Sequence, residues 1–268
     1  MLGSPTPIAA KVAEAPCLLI MLDYDGTLSP IVQRPSEATV AEGTLELLER
    51  LSDLPGTAVA IISGRAIDDL RTRILCGGIV LFGNHGLECF GLFPTMPSSG
   101  EELREKMASL EVSLERALSR FSGVLIENKG PIISVHYRQA VDEGEIRRAA
   151  IDAASGTEGL RIVEGKKVLE FRPDLPVNKG TAVRAMVQQM KDRCGKPPLA
   201  LYAGDDTTDE DAFAQLDDGV TILVGDERTT RARYRLDGPS DLRRFLEILE
   251  QRRSELFPVM PVRSLPRS

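Results

Sequence analysis

The chain has 268 residues, of which 42% are hydrophobic and 27% charged, with a formal net charge of −7. That length supports a sizeable core and one large domain or two moderate ones. An acidic balance with both signs mixed along the chain argues against non-specific nucleic-acid binding and gives no signal for a membrane surface. The longest candidate for a span or leader, Cys17 to Leu22, is too short and ends in acids. Cys17, Cys76, Cys89 and Cys194 lie far apart without a C-x-x-C pair, so they read as reduced thiols of a cytoplasmic protein.

Residues 1–16 hold three prolines and read as a poorly ordered N-terminal tail. The apolar run Leu18–Leu22 then predicts a strand buried on both faces, followed by Asp23-Tyr24-Asp25-Gly26-Thr27-Leu28. Leu45, Leu48 and Leu51 share one stripe of a helix over 41–54, which Pro55-Gly56 ends. A second strand, 58–62, leads into Ser63-Gly64-Arg65. A helix over 66–74 carries Asp68 and Asp69 in its first turn, and a third strand, 78–82, leads into Gly83-Asn84-His85-Gly86. Strand and helix in alternation predict a parallel α/β sheet over a first core segment, 17–92.

The pattern then changes. Pro94, Pro97, Ser98, Ser99 and Gly100 punctuate the chain, and an amphipathic helix over 101–121 carries Leu103, Met107, Leu110, Leu114, Leu118 and Phe121 at steps of three or four. Strands at 124–127 and 132–138, a helix at 143–153, and strands at 161–164 and 167–172 around Gly165-Lys166 make an α+β module over 93–173. The α/β pattern resumes over 174–256. It comprises a helix from Lys179 to Cys194, a strand at 199–203 ending in Gly204-Asp205-Asp206-Thr207-Thr208-Asp209, a last strand at 221–224 and a helix at 240–252. Residues 257–268 read as a C-terminal tail. The fold class expected is therefore α/β, a parallel Rossmann-like core with an α+β cap inserted into it.

Taken alone, Asp23-x-Asp25 fits two readings equally, a polar turn after a strand or a site for a hard cation. Two carboxylates this close repel unless a cation such as Mg²⁺ holds them. Partners elsewhere decide for the site. Ser63 and Gly64 offer a hydroxyl and backbone N–H groups to an anion, Lys179 opens a helix where dipole and charge favour phosphate, and Asp205, Asp206 and Asp209 supply further acids. The alternation of strand side chains puts His136 with Arg138, and Glu170 with Arg172, on shared faces of the cap. The arginines Arg228, Arg231, Arg233 and Arg235 read as solvated surface.

Asp23-x-Asp25-Gly26-Thr27-Leu28, Ser63, Lys179 and Gly204-Asp205-Asp206-x-x-Asp209 resemble the four motifs of the haloacid-dehalogenase-like phosphohydrolase superfamily. The runs Gly83–Gly86, Glu127–Gly130 with His136–Arg138, Gly165–Pro173 and Asn178–Gly180 resemble the trehalose-6-phosphate phosphatase family, over roughly residues 17–250. Asn128, where that family leads us to expect an acid, and Asp174-Leu175-Pro176, where a Gly is more usual, depart from the pattern outside the catalytic set.

The resemblance implies a Mg²⁺-dependent hydrolysis of trehalose 6-phosphate. Asp23 would be the nucleophile and Asp25 the acid and base. Ser63 and Lys179 would bind the phosphoryl oxygens. The Asp23 carboxylate, the Asp25 main-chain oxygen and Asp205 would hold the metal, supported by Asp206 and Asp209. Arg65, Asn84, His85, Glu127, Lys129, Arg138 and Glu170 would bind the sugar. His136 reads equally as structural. The resemblance leaves open another sugar phosphate, such as sucrose phosphate or a glycosyl-phosphoglycerate, a phosphomutase, and a non-catalytic regulatory domain of trehalose metabolism. The partner expected is a small-molecule sugar phosphate, with no nucleic acid or membrane, bound by a monomer whose cap closes over it.

Overall fold

The computed structural model describes residues 5–32, 34–91, 100–165 and 167–258. The expected linker at 93–99, Lys166 of the cap turn and the tail beyond 258 lie outside them. The chain divides into two compact units, Met1–Pro94 with Val177–Ser268, and Thr95–Pro176. Among the described residues no helix is long and apolar enough to cross a membrane.

The first unit begins with a helix, α1 (Pro5–Ala13), where the sequence suggested a loose tail. Ala9, Val12 and Ala13 are buried, so three small or branched side chains on one face outweigh the early prolines. There follow β1 (Leu18–Leu22), α2 (Thr44–Asp53), β2 (Thr57–Ile62), α3 (Ile67–Arg73), β3 (Ile79–Gly83) and β4 (Glu88–Phe90). In the second unit lie α4 (Gly100–Leu118), β5 (Leu125–Asn128), β6 (Ile133–His136), α5 (Glu143–Ala154), β7 (Leu160–Gly165) and β8 (Val168–Pro173). The chain returns to the first unit with α6 (Lys179–Cys194), β9 (Leu199–Gly204), α7 (Glu210–Phe213), β10 (Val220–Val224), β11 (Tyr234–Leu236) and α8 (Pro239–Leu256).

Among the described residues the first unit holds one seven-stranded sheet in the order β11-β10-β9-β1-β2-β3-β4. Its strands are parallel except β4, which pairs antiparallel with β3. β1 lies at the centre, with Leu22 opposite Ile61 of β2 and Ala203 of β9. Its alternate side chains fill two cores. Leu18, Ile20 and Leu22 face the layer of α1, α2, α3 and α8, while Leu19 and Met21 face α6 and α7. Burying each such side chain contributes about 1.5–3 kcal/mol, an upper figure because denatured chains already bury some surface. The continuous apolar run is the signature of a parallel strand covered on both faces.

Two tethers span the ends of this unit. Cys17 and Cys194 form a disulfide across a sequence separation of 177, which corrects the reading of four reduced thiols. The pairing is invisible in the spacing because the two cysteines meet only once β1 and α6 pack. Arg253 of α8 is fully buried with no carboxylate partner among the described residues; it donates to the carbonyls of Ala13, Ala15 and Pro55 and to Thr57 Oγ1. Burial pushes its pKa down to about 10.

Among the described residues the second unit holds a four-stranded antiparallel sheet, β5-β6-β8-β7, with α4 and α5 on one face. Ile133, Val135, Leu169 and Phe171 point into that core with Met107, Leu110, Leu114 and Ile146. The period of two therefore puts Ser134, His136 and Glu170 on the opposite face.

Candidate active site

Three adjacent strands deliver the site at their carboxyl ends, as open α/β sheets do where neighbouring connections diverge. Asp23 follows β1, Ser63 follows β2, and Asp205 follows β9. Lys179 is the first residue of α6, whose entry is fixed by a reciprocal capping pair, Asn178 with Thr181. Asp23, Asp25, Ser63, Gly64, His85, Lys179, Asp205 and Asp206 line one cleft of roughly 360 Å³, together with Ile31 and Thr208.

At its floor Lys179 Nζ donates to Asp23 Oδ1 at 2.7 Å and to Asp209 Oδ1 at 2.8 Å, with all three side chains buried. Burial opposes the charge on Lys179 but is outweighed by these two carboxylates, which hold its pKa above that of an ordinary lysine. Burial pushes the Asp23 carboxyl up; Lys179 pulls it down, and Asp209 and Asp205 push it up again. Burial and the charge of Asp209 likewise raise Asp205, against the pull of other neighbours.

Asp23, Asp205 and Asp209 each present a carboxylate oxygen within 4.8 Å of the others. They are not equivalent. Asp209 Oδ1 also accepts from Tyr202 Oη at 2.7 Å, and its Oδ2 accepts from the Asp206 backbone N–H at 2.9 Å. Its lone pairs are thus largely spent on donors, which suits a supporting acid. Thr27 Oγ1 donates to one oxygen of Asp205 at 3.3 Å. A hard oxygen set with crowded negative charge fits a small divalent cation such as Mg²⁺. Two glycines make room for it. A Cβ on Gly26, whose φ is +78°, would lie 2.1 Å from Asp205 Oδ2, and one on Gly204 would lie 2.2 Å from Asp209 Cγ.

The turns after β2 and β3 are stitched together. The backbone N–H groups of Asn84 and His85 donate to the carbonyls of Arg65 and Ser63, at 2.7 and 2.8 Å. Both residues adopt left-handed backbone, φ 49° and 59°, a cost of order 1–3 kcal/mol each that surrounding contacts must offset. Asn84 Nδ2 anchors to Glu88 Oε2 at 2.7 Å. The His85 ring packs so closely that a Cβ on Gly64 would lie 2.7 Å from its Cε1.

On the face of the second unit's sheet opposite α4 and α5, Lys129 stands 3.4 Å from Glu127 and 4.0 Å from Glu170. His136 Nε2 lies 3.0 Å from Glu127 Oε2, Ser134 Oγ donates to Glu170 at 3.3 Å, and Arg172 pairs with Glu170. Arg138 makes none of these contacts: β6 ends at His136, and Arg138 is exposed in the turn beyond, so the shared face expected for the two does not form.

Sequence reasoning missed Tyr202 and Arg228. The one signal for Tyr202 was a phenol inside an apolar strand, three residues before an acid. Arg228, read as solvated, donates to the carbonyl of Asp206 at 2.7 Å and pairs with Glu210 at 2.7 Å, bracing the Asp205-Asp206 turn. Arg233 and Arg235 also reach backbone carbonyls, of Gly219 and Gly225.

The central-strand carboxylates, the lysine between them and the parallel sheet define a haloacid-dehalogenase-type core. Residues 21–240 match the family model of trehalose-phosphatases. The chain belongs to the trehalose-phosphatase family. It is 35% identical over 251 residues to a trehalose-phosphate phosphatase of Mycobacterium marinum, covering 88% of this chain and 62% of that one. It is 36% identical over 241 residues to an uncharacterized glycosyl hydrolase of Mycobacterium tuberculosis, covering 86% of this chain and 18% of that one. It thus spans less than two thirds of the length of these curated relatives. Among solved structures, a trehalose-6-phosphate phosphatase of Aspergillus fumigatus superposes with a TM-score of 0.65 at 28% identity, covering 93% and 99% of the two chains.

Proposed function

We propose that this chain is a Mg²⁺-dependent phosphatase that hydrolyses trehalose 6-phosphate to trehalose and phosphate. The observation that carries the reading is the buried Lys179 between Asp23 and Asp209, at the strand-end cleft of a chain in this family. Asp23 is the nucleophile: its carboxylate attacks phosphorus and forms an aspartyl-phosphate, dividing one difficult displacement into two. Lys179 balances charge on the phosphoryl oxygens, and Ser63 with the adjacent backbone N–H groups binds the same oxygens. Asp25 gives a proton to the departing sugar oxygen and takes one from the hydrolytic water. Mg²⁺, when bound, supplies positive charge against the phosphoryl group, and Asp23, Asp205 and the Asp25 main-chain oxygen would hold it, with Asp206 and Asp209 behind them.

The sugar is read by Glu127, Lys129 and Glu170, joined by Ser134 and His136, since paired carboxylates and an ammonium suit sugar hydroxyls. Asn84 and His85 contribute from the stitched turns. The assembly proposed is a monomer, and the oligomeric state in solution tests it. A phosphorylated sugar does not cross membranes unaided, which supports a cytoplasmic reaction; the Cys17–Cys194 bond is the observation that pulls the other way.

A panel of phosphorylated sugars with phosphate release as readout tests the reading. Trehalose 6-phosphate should be the preferred substrate, with turnover lost in EDTA and restored by Mg²⁺. The Asp23→Asn variant should fall by about 10² or more. Preference for sucrose phosphate or a glycosyl-phosphoglycerate would overturn the substrate. Failure of the Mg²⁺-loaded protein to hydrolyse even an aryl phosphate would overturn the activity.

A further inference from the structure

Arg65 was expected to touch substrate, yet its guanidinium is turned onto the protein's own carboxylates. Nε and Nη2 donate to Asp25 Oδ2 and Oδ1, both at 2.7 Å, in a bidentate fork. Nη1 donates to Asp69 Oδ2 at 2.6 Å, and Cζ lies 5.1 Å above the centroid of the Tyr24 ring. The Arg65 side chain is only 9% exposed, whereas Asp25 is 45% exposed and lines the cleft. Asp69 is held in turn by Arg73 Nε at 2.9 Å, and Arg73 Nη1 donates to the Ala38 carbonyl at 2.7 Å. A chain of alternating charges thus runs from Asp25 to a backbone anchor. A half-exposed carboxylate on a turn would otherwise sample several rotamers. A planar fork fixes both its oxygens, which a single ammonium cannot do.

We propose that Arg65 is a positioning residue that holds Asp25 for proton transfer, and that Asp69 and Arg73 hold Arg65. This rests on the reading of Asp25 as acid and base. In the first step the Asp25 carboxyl gives its proton to the leaving oxygen as that oxygen's bond to phosphorus breaks and the Asp23–phosphorus bond forms. In the second the Asp25 carboxylate takes a proton from water as the water oxygen bonds to phosphorus and the Asp23–phosphorus bond breaks. A misplaced Asp25 slows the second step for every substrate, but slows the first only where the leaving group needs a proton.

The test compares Arg65→Ala, Arg65→Lys and Asp69→Asn in the Mg²⁺-loaded full chain, with Asp25→Asn as reference. With 4-nitrophenyl phosphate, whose phenolate leaves unaided, Arg65→Ala should release a burst of about one equivalent per site. It should then turn over about 10²-fold slower than the parent. With trehalose 6-phosphate the same variant should show no burst and a similar loss in kcat, with KM within about threefold. Arg65→Lys should fail to rescue it, and Asp69→Asn should show a smaller loss of the same kind, which keeps the test open if Arg65→Ala does not fold. Full turnover in Arg65→Lys would overturn the proposal. So would a KM raised tenfold in Arg65→Ala at unchanged kcat, the signature of a substrate ligand. An Asp25→Asn variant with unimpaired turnover would overturn the role of Asp25 itself, separately from the choice of sugar.

Discussion

Replacing Cys17 by Ser should destabilise the protein strongly while leaving turnover intact. The bond closes a loop of about 177 residues, and the chain-entropy relation then gives about 5 kcal/mol at 25 °C. Measured values more often fall at about 2–4 kcal/mol because denatured chains are not ideal coils, so about 2–5 kcal/mol is expected. The site should survive because the bond lies at the far ends of the two elements that build it. From Cys17 to Asp23 the strand runs about 20 Å, and α6 from Lys179 to Cys194 about 22 Å. The two run antiparallel, so the Lys179–Asp23 contact closes one end and the disulfide the other. Urea unfolding of the parent, of the parent in dithiothreitol, and of Cys17→Ser measures the effect, with kcat taken in the absence of urea. The last two samples should share a midpoint well below the first. Equal midpoints in all three would refute the reasoning, and a large fall in kcat of the folded variant would refute the separation of tether from site.

Lys179→Met should lower kcat by at least about 10²-fold. It also leaves Asp23 and Asp209 buried without their cation, a folding cost of about 3–5 kcal/mol that Mg²⁺ should partly offset, readable as a larger Mg²⁺-induced rise in Tm than in the parent. Gly26→Ala should abolish activity and that Mg²⁺-induced rise together, because its methyl would occupy the Asp205 carboxylate; a normal Tm response would contradict this. Burial works against the Asp69 charge, but its hydrogen bonds from Arg73 and Arg65 hold its pKa below the usual carboxylate range. A depressed folded pKa contributes stability above the unfolded value of about 4 and loses it as pH falls through the folded one. The urea midpoints of the parent and Asp69→Asn should therefore differ at pH 6 and converge below about pH 4. Arg253→Met should cost about 3 kcal/mol or more, since three carbonyls and a hydroxyl lose their donor in the core, with kcat of the folded fraction unchanged.

The parts of this fold that were legible in the sequence are those where burial repeats with a period. Leu18–Leu22 and Thr57–Ile62 are apolar at every position because both sheet faces are covered, and Lys179–Cys194 has a capping residue at one end and a glycine after the other. Strands of three residues, β4 and β11, are too short to show a period, and neither was expected. The acids of the site could be read because each follows a strand. What they do to one another could not. That Asp209 is saturated by Lys179, Tyr202 and a backbone N–H, or that Arg65 faces Asp25 rather than the substrate, depends on side-chain directions that spacing does not carry. The disulfide, the buried Arg253 and the ordering of α1 all join residues far apart in sequence, so no local window contains them.

The insertion of the second unit sets an order of events on the growing chain. β1 can pair with β2 once the first segment is made, but its other edge stays bare until β9 is synthesised, after the whole of Thr95–Pro176. In that interval a wholly apolar strand presents unpaired backbone groups, which are a template for unwanted strand addition. The inserted unit has its own core and can close on itself meanwhile. Neither Lys179 nor Asp205 exists at that stage, so Asp23 waits on its strand without a counter-charge. Synthesis that pauses within the inserted unit therefore exposes the sheet at its centre, and aggregation of chains arrested there should fall when β1 is made less apolar.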